Sequence, residues 1–101
     1  MNELIKLVEK WSQEKGLDRV ESSKQALKFF EEAGEVSAAL ARSNKDDLTD
    51  AIGDTIVTLI ILAQQQGMNI EHCLAVAYDE IKGRKGKTIN GVFVKSEDLE
   101  E

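Results

Sequence analysis

The chain contains no proline, a single cysteine and few aromatic residues: three Phe, one Trp and one Tyr among 101 positions. Without proline, only glycine and short polar pairs interrupt its Ala-, Leu-, Glu- and Lys-rich segments, which favours a helical protein. The lone Cys73 excludes an internal disulfide and fits a reducing compartment. Positive charge is also scarce. Thirteen Lys and Arg stand against 19 Asp and Glu, a net charge of −6, which opposes nucleic-acid binding through phosphate contacts but suits a protein that holds cations. The longest apolar stretch, 56–63, falls far short of the roughly 18 residues a membrane span needs. At the N-terminus, Glu3 and Glu9 break up what would otherwise be the apolar core of an export signal. These features predict one domain over 1–101, cytoplasmic, with neither membrane nor nucleic acid as partner.

Hydrophobic spacing divides the chain into four helices, expected at about 2–15, 23–42, 45–66 and 70–82, followed by a tail at 88–101. In the first, Leu4, Leu7, Val8 and Trp11 form a stripe at i, i+3, i+4 and i+7, and Gly16 ends it. Trp11 lies in register with that stripe and reads as core, although its flat indole also suits stacking on a nucleobase. Residues 17–21 read as a linker. Ser22 and Gln25 fit a capping box for the second helix, in which Leu27, Phe30, Ala33 and Ala41 mark an apolar side. Asn44 caps the third, and its second half, TIVTLIILA, is apolar on every side. A helix of that kind has to be covered all round. Three other helices in so short a chain are too few to do it, which predicts burial against a second copy and hence a homo-oligomer. Asn69 caps the fourth helix, with Ile70, Leu74, Ala77, Tyr78 and Ile81 on one side. Asn90-Gly91 between short apolar runs signals a hairpin, the alternative being a tail extended along a partner subunit. The acidic end, 96–101, is expected to fray. The fold expected is therefore all-α: a protomer like a four-helix bundle with a short C-terminal hairpin or extended tail.

The chemistry concentrates in 31–54, EEAGEVSAALARSNKDDLTDAIGD. Glu32 and Glu35 share one helix face, and Asp47, Asp50 and Asp54 share another at i, i+3 and i+7. If the chain folds back at Ser43-Asn44, Glu35 lies level with Asp54, while Glu32 and Asp50 flank that level by roughly one turn at about 1.5 Å per residue. Four carboxylates then converge. Without a counter-charge they repel, and some must protonate; a hard divalent ion relieves that and brings water and phosphate oxygens into its shell. A solvated acidic surface is the plain alternative, but Asp54 stands directly before the apolar run, where burial is expected. Gly34 and Gly53 lower helix propensity, which points to close approach of neighbouring helices at both.

The order EExGE, a short gap, then GD leading into an apolar helix resembles the MazG-like family of all-α nucleoside triphosphate pyrophosphohydrolases, relatives of dimeric dUTPases and of phosphoribosyl-ATP pyrophosphohydrolase. The resemblance covers most of the chain, 11–84. It implies a homo-oligomer, dimer or tetramer, and Mg2+ bound through Glu-x-x-Glu and Glu-x-x-Asp, with Mn2+ as a substitute. Glu32-Ala-Gly-Glu35 matches the first half, and Asp54 matches the last position of the second. Where the pattern has its third glutamate, this chain has Ala51. Asp50 is the nearest replacement, and Asp47 a more distant one. The expected metal ligands are thus Glu32, Glu35, Asp50 and Asp54, and the expected catalytic residues are Glu35, by preference the base, and Glu32.

Lys28, one turn before Glu32, reads either as its ion-pair partner or as a contact to a substrate phosphate. Lys82, Arg84, Lys85 and Lys87 put four positive charges within six residues of an acidic chain. They either oppose the dipole of the fourth helix or, as the family's basic residues near that helix end imply, meet the phosphates of a nucleoside triphosphate. The alternative function is a non-catalytic oligomer of the same fold that binds nucleotide or metal, its chemistry lost with the glutamate replaced by Ala51.

Overall fold

The fold is seen in a computed structural model that describes residues 2–99. Four helices, α1 (Asn2–Glu14), α2 (Ser23–Ala41), α3 (Lys45–Gln65) and α4 (Ile70–Lys82), are followed by strands β1 (Gly86–Ile89) and β2 (Val92–Lys95). A 3-10 turn, Leu17–Arg19, lies inside the stretch expected as a linker. Another, Ser96–Asp98, occupies part of the end expected to fray; positions 100 and 101 lie outside the described residues.

Local chemistry fixes the helix ends. Asn44 and Asn69 adopt extended backbone conformations, and their side-chain oxygens accept the amides of Asp47 and His72 at 3.0 and 2.8 Å, each satisfying an amide that has no partner within its helix. The expected capping box at Ser22 does not form. Ser22 has helical backbone angles and its hydroxyl makes no cap bond; the Glu21 carboxylate, on a longer side chain, accepts the amide of Ser23 at 2.8 Å and its hydroxyl as well. Those two bonds, the hydroxyl's first, hold the Glu21 carboxyl below its usual range.

Helices α2 and α3 form the main antiparallel pair. Ala39 on α2 and Ala51, Ile60, Ile61 and Ala63 on α3 are buried, together with Ile5 and Ser12 of α1. The apolar segment of α3 accommodates its threonines because their hydroxyls turn back onto the helix: Thr55 donates to the Ala51 carbonyl and Thr58 to that of Thr55. Three successive glutamines then tie α3 to three different segments. The side-chain amide nitrogens of Gln64, Gln65 and Gln66 donate to the Glu9 carbonyl, the Leu17 carbonyl and the Ser22 hydroxyl. On α2, Gln25 donates to the Thr58 carbonyl at 3.1 Å.

The remaining apolar surface is left open. No residue of α4 is buried, and Leu74 of α4 and Leu4 of α1 are 62% and 67% exposed. The radius of gyration is 16.5 Å, against about 13 Å for a compact chain of this length. Trp11, read as core from periodicity, and Leu27 and Phe30, on the expected apolar side of α2, are also exposed. The expectation of close helix approach at Gly34 and Gly53 is not met: a Cβ at either would meet nothing within 4 Å. Asn90 and Gly91 turn the hairpin with φ of 51° and 79°, the pair of positive values a two-residue I′ turn requires, and set Thr88 opposite Phe93.

Candidate active site

The α2–α3 connection determines what faces what. Ser43 takes a left-handed conformation, φ 55°, and the Asn44 amide bonds back to the Ala39 carbonyl at 3.1 Å, so α3 returns directly along α2. Between them lies a cavity of about 320 Å³ lined by Glu32, Glu35, Ala39, Arg42, Asp47, Asp50, Ala51 and Asp54. All four expected metal ligands reach it. Two small buried residues, Ala39 and Ala51, form part of the wall, so the position that carries glutamate in the resembled pattern is here a buried alanine.

Electrostatics distinguish the acids. Asp54 was expected to be buried but is exposed, lining the cavity. Its carboxyl is nevertheless pushed above the usual range by partial desolvation, then by the charges of Asp50 and Glu32, with Lys28 opposing. Glu32 is partly neutralised already: the Lys28 ammonium lies 3.2 Å from it, and its side chain is 14% exposed. That bond, then the charge of Glu31, holds the Lys28 ammonium above its ordinary value. Glu35 has no ion-pair partner among the described residues.

Five carboxylates against one lining cation leave the cavity strongly negative, and every donor is a hard oxygen. That set fits a divalent cation. Among the described residues no three acidic, histidine or cysteine side chains are grouped closely enough to hold a metal ion by themselves; the carboxylates line different parts of the wall, and an ion there would need water or phosphate oxygens to complete its shell. One consequence is measurable without turnover. In EDTA, Asp54→Asn should melt slightly above the unsubstituted chain, because it removes a partly desolvated charge and its repulsion from Asp50 and Glu32. The folded chain binds the Asp54 proton more tightly than the unfolded chain, so this carboxyl favours folding below its ordinary 3.8 and loses that contribution as pH rises through the higher folded value. The melting advantage of Asp54→Asn should therefore widen with pH over the acid range.

A second cavity, about 500 Å³, adjoins the first and shares Glu32 and Asp54 with it; Trp11, Leu17, Gln25, Lys28, Val57, Thr58 and Ile61 complete its lining. Trp11, 49% exposed, thus faces the acidic site. Neither Gln25, read only as part of a capping box, nor Arg42 was expected at a site. Both lie in the wall of a cavity that only the pairing of α2 with α3 creates.

The basic residues lie elsewhere. Arg84 and Lys85 line a separate cavity with Glu80, Lys95, Ser96 and Glu97. Lys82 pairs with Asp79 at 2.7 Å, and Arg84 approaches Glu80 at 3.9 Å. Lys28 is the expected substrate-binding residue that lies beside the carboxylates; Lys82, Arg84 and Lys85 do not line either acidic cavity.

The sequence profile of the phosphoribosyl-ATP pyrophosphohydrolase family matches residues 1–80. The chain belongs to this family, within the MazG-like superfamily. The matched span contains both acidic cavities and all of their carboxylates. A protein described as an uncharacterised 18.2 kDa product of the rep-hol intergenic region of Haemophilus phage HP1 is 40% identical over 68 residues, which is 64% of this chain and 40% of that protein. No solved structure matches. No described helix is long and apolar enough to cross a membrane.

Proposed function

We propose that this family member is a Mg2+-dependent nucleoside triphosphate pyrophosphohydrolase, converting a nucleoside triphosphate and water into the monophosphate and pyrophosphate. The observation that carries the reading is the junction of the two cavities: an acidic one suited to metal and phosphates, opening at Glu32 and Asp54 into one with an aromatic wall. Glu32, Glu35, Asp50 and Asp54 would hold the metal, with Mn2+ as a substitute. A divalent ion in such a site supplies neutralisation of phosphate charge and acidification of a water.

The chain's own groups take the remaining roles. Glu35, without an ion-pair partner among the described residues, accepts the proton of the attacking water; Glu32 is already engaged by Lys28. Lys28 itself is within reach of a phosphate once Glu32 turns to metal. Trp11 offers a face on which the base stacks. A second copy covers the apolar faces of α1 and α4, and contacts from Lys82, Arg84 and Lys85 to the phosphates would come from that copy.

The test is Asp50→Asn in a triphosphate hydrolysis assay. Loss of a charge-stabilising group of this kind costs on the order of 100-fold in turnover, and Ala51→Glu placed in the Asp50→Asn background should restore part of it. A fully active Asp50→Asn variant would remove Asp50 from the site. Buried Ala51 favours one second reading, a nucleotide-binding oligomer without turnover, which Mg2+ binding in the absence of any hydrolysis would single out.

A further inference from the structure

Arg42 is the one basic side chain in the lining of the acidic cavity, and it sits at the hairpin end. Its only partner among the described residues is Asp47, with Nη2 3.5 Å from Oδ2 and both side chains 56% exposed. A charge-assisted bond of good geometry is about 2.8 Å, so this pair is loose, and an exposed pair of this type contributes little stability. The guanidinium, which lines the cavity, therefore has donors to spare, and Asp47 is the one anion it would have to give up. At about 1.5 Å per residue, Arg42 lies some 10 Å along α2 from Glu35 and some 21 Å from Lys28. The two cations thus bracket the carboxylates, Lys28 on the Trp11 side and Arg42 on the hairpin side.

We propose that Arg42 grips the terminal phosphates of the substrate by exchanging Asp47 for phosphate oxygens, which fixes the direction of binding: base toward Trp11, polyphosphate tail toward the α2–α3 hairpin. This deepens the pyrophosphohydrolase reading and rests on it. A planar guanidinium meets two phosphate oxygens at once, as an ammonium does not. Recognition at this end selects for the length of the phosphate chain, favouring triphosphates over diphosphates, and the released pyrophosphate is the product that Arg42 retains.

Calorimetric titration of inorganic pyrophosphate, and separately of nucleoside monophosphate, with Mg2+ present, tests this on the full chain. Arg42→Ala should weaken pyrophosphate about tenfold or more, as expected for a lost charged hydrogen bond, with monophosphate affinity within about twofold. Arg42→Lys, which retains charge at the helix end, should fall between, and Asp47→Asn should bind pyrophosphate more tightly. If the unsubstituted chain hydrolyses triphosphates but Arg42→Ala and Arg42→Lys both bind pyrophosphate as it does, the inference about Arg42 fails and the pyrophosphohydrolase reading stands. Equal weakening of both ligands also overturns it. An unsubstituted chain that neither hydrolyses triphosphates nor binds pyrophosphate overturns both.

Discussion

Glu35→Gln should abolish triphosphate turnover while leaving the helical content and melting temperature of the chain close to those of the unsubstituted protein. Gln preserves the size of the side chain and its fit to the exposed face of α2, so nothing in the packing of Ala39 against α3 changes. It removes the one cavity glutamate without an ion-pair partner among the described residues. If Glu35 accepts the proton of the attacking water, turnover falls about 10²- to 10⁴-fold from that loss alone, and further if metal is held less tightly. Glu32→Gln should differ in kind. It frees Lys28 from its 3.2 Å contact, so weakened metal binding would accompany the lost turnover. Circular dichroism and single-turnover kinetics on the two variants separate these outcomes, and a Glu35→Gln variant with full turnover would remove the assignment.

The second large effect concerns assembly. Leu74→Glu should convert an oligomer of 11.2 kDa protomers into a monomer of lower stability. In the protomer alone Leu74 is exposed beside Tyr78 and Ile81 on α4, and a cavity of about 390 Å³ between α1, α3 and α4 has Ile5, Ile56, Ile70, Leu74 and Tyr78 in its wall. So much apolar surface on a small chain marks an interaction face. Burying a leucine is worth about 1.5–3 kcal/mol, and a carboxylate at the same place, without a partner, opposes burial. If Lys82, Arg84 and Lys85 act across the interface, the monomer should also lose triphosphate affinity. Light scattering with a parallel KM measurement decides. A monomeric, fully active unsubstituted chain would show that the open faces serve some other purpose.

Much of this architecture was legible in the sequence, because it depends on local rules. Apolar spacing and the Asn44 and Asn69 caps set every helix start and end within one residue, and Asn90-Gly91 set the hairpin. The convergence of Glu32, Glu35, Asp50 and Asp54 followed from one assumption, a tight return at Ser43-Asn44. What escaped was non-local. Periodicity identifies an apolar stripe but not its partner, so Trp11 read as core although it is half exposed. The bonds from Gln64, Gln65 and Gln66 join residues 44 to 55 positions apart, and glutamine has no spacing rule that reveals such links. Arg42 looked like a helix end until α3 folded back beside it. The basic run at 82–87 gave its charge but not its position, and in the protomer it lies with Glu80 and Glu97, apart from the acids.

The most direct measurement is pyrophosphate release from a panel of canonical and modified nucleoside triphosphates, with Mg2+ and with EDTA, with the monophosphate product quantified alongside. The account predicts equimolar pyrophosphate and monophosphate from at least one triphosphate, lost in EDTA and restored by Mg2+. Release of orthophosphate instead, release that persists in EDTA, or no turnover on any triphosphate would contradict it.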